Sequence, residues 1–174
     1  MKKFLVVALV SMSLPAWSLD VSSRNGNIVT LALPTYAAAV SYASGDTEGL
    51  SQLVQSEAAT FVLVSALKSS THATRPDGSD NKSFPSMHTA ASFSAAQYLQ
   101  MRGGSDMGVP AYLLAGYVGA TRVDANKHYW KDVVGGAATG IMTTYYFTDR
   151  TNSPKLSLHW RPDGPSVIWQ QPLR

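Results

Sequence analysis

The sequence predicts a compact all-α bundle of about five to six helices with a small β-hairpin at its C-terminal end. Three observations carry this. Stretches of helical length, apolar throughout or periodic near 3.6, recur along the chain between short polar or glycine-bearing turns. Alanine, glycine and serine lie at close intervals within them, the composition that lets helix backbones approach one another. Only the last stretch changes character: Leu156 to Trp160 and Ser166 to Gln170 flank Arg161-Pro162-Asp163-Gly164-Pro165, which reads as a turn-centred hairpin.

Taken in order, residues 1–18 read as an export signal. Lys2 and Lys3 form a basic start, Phe4 to Leu14 an apolar stretch, and Ala16-Trp17-Ser18 a small-x-small cleavage site. The apolar stretch falls short of the roughly 20 residues that span a bilayer, so a cleaved signal is expected over an anchor. Residues 19–174 then form a single domain, since such a length buries one sizeable core and leaves no room for two. Removing Lys2 and Lys3 leaves twelve basic against eleven acidic residues, so the basic pI of 9.2 is mostly the signal. Without a basic stripe interleaved with aromatics, no nucleic-acid partner is expected. The chain has no cysteine, which removes disulfides and thiolate metal ligands.

Asn27 to Ser44 is uncharged, alanine-rich and contains Pro34, and predicts a kinked or late-starting helix. After the turn Gly45 to Gly49, in which Asp46 or Thr47 can cap, Leu50 to Ser70 carries Leu50, Leu53, Val54, Ala58, Phe61, Val62, Val64 and Leu67 at helical spacing. Asp77 to Ser83 is a polar surface loop. Met87 to Met101 is a helix ended by Arg102-Gly103-Gly104, with Ser86 as its N-cap. Gly108 to Gly119, including Gly116, and Val133 to Phe147, including Gly135, Gly136 and Gly140, supply two more helices with small-residue faces. No uncharged run after the signal clearly exceeds 20 residues and the mean hydropathy is −0.04, which favours a soluble or surface-attached bundle over an embedded one. Trp160 and Trp169 on the hairpin suit packing on the bundle, or a membrane interface if exposed.

Three segments carry chemistry. With a helix starting near His128, Asp132 four residues on shares its face and can hold one imidazole nitrogen, leaving the other to attack. Arg122 supplies a planar cation six residues upstream. Lys68 and Arg75 flank a helix end stopped at Pro76, and the start of the helix after Phe84-Pro85-Ser86-Met87-His88 offers backbone amides to an anion. Each alone has an ordinary reading, as an i,i+4 surface pair or a cation at a helix C-terminus. His72 and His159 have no such context. Nothing has the spacing of a zinc site.

Lys-x6-Arg-Pro, then Pro-Ser-x-His, then Arg-x5-His-x3-Asp, over Lys68 to Asp132, resemble in that order the three signature motifs of the type 2 phosphatidic acid phosphatase family. That family includes bacterial class A acid phosphatases, lipid phosphate phosphatases and vanadium haloperoxidases. Two positions depart from the pattern: Met87 stands where glycine is usual, and Thr121 where serine precedes the arginine. The resemblance implies an all-α fold and a phosphatase that needs neither metal nor other cofactor. In it Lys68, Arg75 and Arg122, with Ser86 and the Met87 amide, hold the phosphate; His128 attacks, Asp132 steadies it, and His88 acts as acid and base. The expected substrate is a phosphate monoester or a lipid (pyro)phosphate in the periplasm, with membrane-surface association open. The same residues are compatible with a vanadium-dependent haloperoxidase, a lipid-linked phosphotransferase or a non-catalytic anion-binding envelope protein. No oligomeric state follows from the sequence.

Overall fold

The computed structural model of the protein describes residues 23–150 together with two hairpin strands at 155–161 and 164–170, the strands as backbone. The expected export segment, 1–18, lies outside the described residues, as do the side chains of Trp160 and Trp169. Five helices follow in order: α1 Ser23–Ala43, α2 Thr47–Thr71, α3 Met87–Gly103, α4 Ser105–Asp124 and α5 Trp130–Phe147. β1 Lys155–Arg161 and β2 Gly164–Gln170 pair antiparallel, Arg161 opposite Gly164, as the expected hairpin requires.

α3 runs through the middle and packs on all four other helices, which surround it in the order α1, α2, α5, α4. The ends are set by local chemistry. Asp46 caps α2 by accepting from the Gly49 amide at 2.9 Å, and Ser86 caps α3 by accepting from Thr89. α1 passes through Pro34 as one helix and begins earlier than expected, at Ser23. α4 extends further than its apolar stretch, to Asp124, so Thr121 and Arg122 fall in its last turns.

The core is built from small side chains around a few large ones: Leu33, Ala37, Leu53, Ala95, Ala96, Tyr98, Leu99, Ala111 and Ala115. α5 lies so close to α3 that a methyl group at Gly136 or Gly140 would run into the carbonyl oxygens of Ser86 and Ala90. Gly119 packs on Val133, whereas Gly116 faces open space. Hydroxyl pairs stitch the helices between these contacts, Thr60 to Thr143 at 2.5 Å, Ser56 to Thr148 at 3.1 Å and Thr144 to Ser94 at 2.9 Å. Buried hydroxyls paired in this way avoid the cost of a lost hydrogen bond.

The orientation of α2 overturns the packing its periodicity suggests. Leu53 and Val64 are buried, but Val54, Phe61 and Val62 are 62, 61 and 66% exposed, and the inner face holds Gln52, Ser56 and Thr60. Leu31 of α1, Leu113 of α4 and Met142 of α5 also face outward. A 3.6-residue period marks a stripe; it does not say which stripe the neighbouring helices cover.

Candidate active site

At the end of the bundle where α1 and α3 begin and α2 and α4 finish, a cavity of about 330 Å³ is lined by Asn27, Lys68, Arg75, Met87, His88, Arg122, Lys127 and His128. Six of these were expected from sequence, from segments up to 60 residues apart. Each cation is held from behind. Lys68, in the last turn of α2, donates through Nζ to the carbonyls of Lys82 at 2.6 Å and Ser83 at 3.4 Å. Arg75 uses Nε on Asp80 at 2.7 Å and Nη1 on the Lys127 carbonyl at 3.1 Å. Arg122, 4% exposed, donates through Nη1 to Asn27 Oδ1 at 2.8 Å and through Nε to its neighbour Thr121 Oγ1 at 3.1 Å. The Thr121 hydroxyl, kept where the motif usually has serine, thus orients the guanidinium.

His128 reaches the cavity by a route other than the predicted helix. α5 starts at Trp130, two residues too late to carry it. The chain after α4 folds back through Asn126 at φ +53, a conformation asparagine tolerates, and the amides of Lys127 and His128 both donate to the Arg122 carbonyl, at 3.0 and 3.2 Å. His128 is 3% exposed. Its Nε2 lies 3.4 Å from Arg75 Nη1 on the cavity side, while Nδ1 points back at Asp132 Oδ2, 3.6 Å away. That gap is longer than a hydrogen bond, so the pair interacts by charge rather than by a shared proton.

Asp132 is fully buried at the third position of α5, where Oδ2 accepts from the Tyr129 amide at 2.9 Å and from Ser83 Oγ at 2.5 Å. Ser83 is therefore a supporting residue that the motif reading missed, although it sits three residues before Ser86. Lys127 and Asn27 were missed as well. Lys127, beside His128, binds Asp77 Oδ2 at 2.5 Å at the cavity rim. Ser86 is buried behind the cavity lining, and its Oγ accepts from the Thr89 amide and hydroxyl, which caps the start of α3. Met87 does line it. His72 ends α2 in the left-handed conformation, exposed and away from the cavity lining.

The electrostatics follow from burial among cations. His128 is pushed down from 6.5 to about 4, by burial first and then by Arg75 and Lys68, with Asp132 opposing. His88 falls to about 4 from burial and from Arg122, Arg75 and Lys68. Both imidazoles are neutral near pH 7, so His128 has an unprotonated nitrogen and the positive charge of the cavity comes from Lys68, Arg75, Arg122 and, at the rim, Lys127.

Fold and site together define a helical bundle with a small hairpin and a cation-lined cavity that two histidines share. The PAP2 superfamily model matches residues 49–153, more than half the chain, and the protein belongs to that superfamily. It is 39% identical over 83 residues, 46% of its length, to the lipid A 1-phosphatase of Porphyromonas gingivalis, of which the match covers 19%. The chain thus spans about a fifth of that curated relative. The crystal structure of Aquifex aeolicus LpxE superposes with a TM-score of 0.63 at 22% identity, over 72% of this chain and 81% of that one, and shares the all-α fold.

Proposed function

We propose that the protein is a phosphatase that hydrolyses a lipid phosphate monoester through a phosphohistidine. The observation that supports this most is that Lys68, Arg75, His88, Arg122 and His128 surround one cavity with His128 Nε2 on its inner side. Three cations around the phosphate oxygens suit phosphoryl transfer, which is achieved largely by positioning and charge. Nε2 of His128 forms a bond to phosphorus as the bond to the leaving oxygen breaks, and protonated His88 gives that oxygen its proton. The bound phosphate dianion raises His88 back toward protonation. His88 then takes a proton from water, the water oxygen attacks phosphorus, and the phosphorus–nitrogen bond breaks to release phosphate. Asp132 balances the charge on the imidazole while phosphorylated.

The lipid reading rests on the outer surface. α2 is long and apolar enough to cross a membrane, with a hydropathy of 1.2 over its best window and 28% of that window buried, and its large apolar side chains face outward. A lipid substrate would reach the cavity at the end of this surface. Delivery by the 1–18 segment to the periplasmic side belongs to the same proposal, and sequencing the N-terminus of the purified protein tests it. The activity is tested by assaying phosphate release from an aryl phosphate, phosphatidate, phosphatidylglycerophosphate, a phosphorylated glucosamine lipid and undecaprenyl pyrophosphate, with and without detergent. Turnover of the soluble ester alone would refute the lipid reading; turnover of none would refute the phosphatase.

A further inference from the structure

Resting on the reading of this cavity as a phosphate site, we infer that Asn27 of α1 is a substrate-contacting residue, its amide nitrogen donating to the bound phosphate while its oxygen sets the Arg122 guanidinium. Two independent observations carry this. Arg122 can only donate, so the Asn27 atom 2.8 Å from Nη1 is the carbonyl oxygen, and the amide group is thereby fixed in one orientation. Among the described residues Nδ2 has no hydrogen-bond partner, and Asn27 is exposed at the cavity that Lys68, Arg75 and His88 also line. Two N–H donors on an oriented amide in a cation-lined pocket suit an oxyanion.

The second observation is the approach of α1 itself. Gly26 is buried, and a side chain there would collide with Thr121 Oγ1 and the Arg122 guanidinium. The absence of a Cβ lets the first turns of α1 lie directly on the last turn of α4, which brings Asn27 to the cavity. Asn27 also falls outside residues 49–153, the region matched by the superfamily, so the contact is made by a part of the chain that the motifs do not reach. α1 thereby becomes part of the active site.

The test uses the full chain with orthovanadate as the probe, its binding measured by calorimetry beside kcat and KM on the substrates above. Asn27→Ala should weaken vanadate binding and lower kcat/KM by roughly ten- to a hundredfold, the range for a hydrogen bond to a charged group. Asn27→Asp keeps an acceptor for Arg122 but loses both donors and adds a negative charge, and should be worse than Asn27→Ala. Vanadate affinity and kcat/KM within about twofold of wild type in both folded variants would overturn the inference, as would Asn27→Asp binding at least as tightly as wild type. A Gly26→Ala protein that folds should show the same direction of change, and one of unchanged affinity counts against it. Wild type that binds vanadate but hydrolyses nothing would refute the phosphatase reading while the Asn27 variants still decide this one. Wild type that neither binds nor hydrolyses would refute both.

Discussion

The two ends of the bundle hold Arg102 and Lys68 in opposite ways. At the end away from the cavity, Arg102 closes α3 with its guanidinium clamped on the Asp46 carboxylate, Nε at 2.9 Å and Nη2 closer still, and braced by Gln52 Oε1 and the Asp149 carbonyl. The pair is internally neutralised and ties α2, α3 and the chain after α5 together. At the cavity end, Lys68 is positioned by main-chain carbonyls of residues 82 and 83, which aim the ammonium without cancelling its charge. The length of α3, about 25 Å, separates the two. Asp46 takes Arg102 through both Nε and Nη2 and so spends its charge on the fold, whereas Lys68 is held by neutral oxygens and Arg75 is tied to the exposed Asp80 through Nε alone, which leaves their field for a ligand.

That contrast can be broken from either end. His128→Ala should reduce turnover by at least about a thousandfold with the far-end clamp intact, and retention of more than a few per cent of wild-type activity would remove His128 as the nucleophile. Lys68→Met should lower kcat/KM about a hundred- to a thousandfold while the denaturation midpoint barely moves; a large loss of stability with normal kinetics would make Lys68 structural. Arg102→Leu should do the reverse, costing about 2–3 kcal/mol in denaturant unfolding because it strands Asp46, with kcat per folded molecule unchanged. The smallest effect is on pH dependence. The depressed pKa values of His88 and His128 mean that the unfolded chain binds protons between 6.5 and about 4 that the folded one does not, so stability should fall as pH drops through that window. His128→Gln should flatten the fall, which a thermal melt series across the window would show.

The cavity was largely legible because its chemistry depends on residue types at short spacings: Lys68 to Arg75, Ser86 to His88 and Arg122 to Asp132 each lie within one turn-and-loop unit. What those spacings could not supply was long-range. Asn27 meets Arg122 across 95 positions, and no local pattern marks an asparagine in the second turn of a helix. The partnership of His128 with Asp132 was readable, but not its geometry, since a left-handed Asn126 does what a helix was expected to do. The helix count and the hairpin followed from periodicity and turn residues. The inward face of α2 did not, because Ser56 and Thr60 find hydroxyl partners on α5 and beyond it that only the assembled bundle provides.

Gly136 and Gly140 set more than a packing distance. His88 is the second residue of α3 and Asp132 the third of α5, so the spacing these glycines allow between the two helices gauges how far His88 stands from the carboxylate behind His128. An added methyl at either position would act as a shim, prising α5 from α3 one and two turns below Asp132 without touching a residue that lines the cavity.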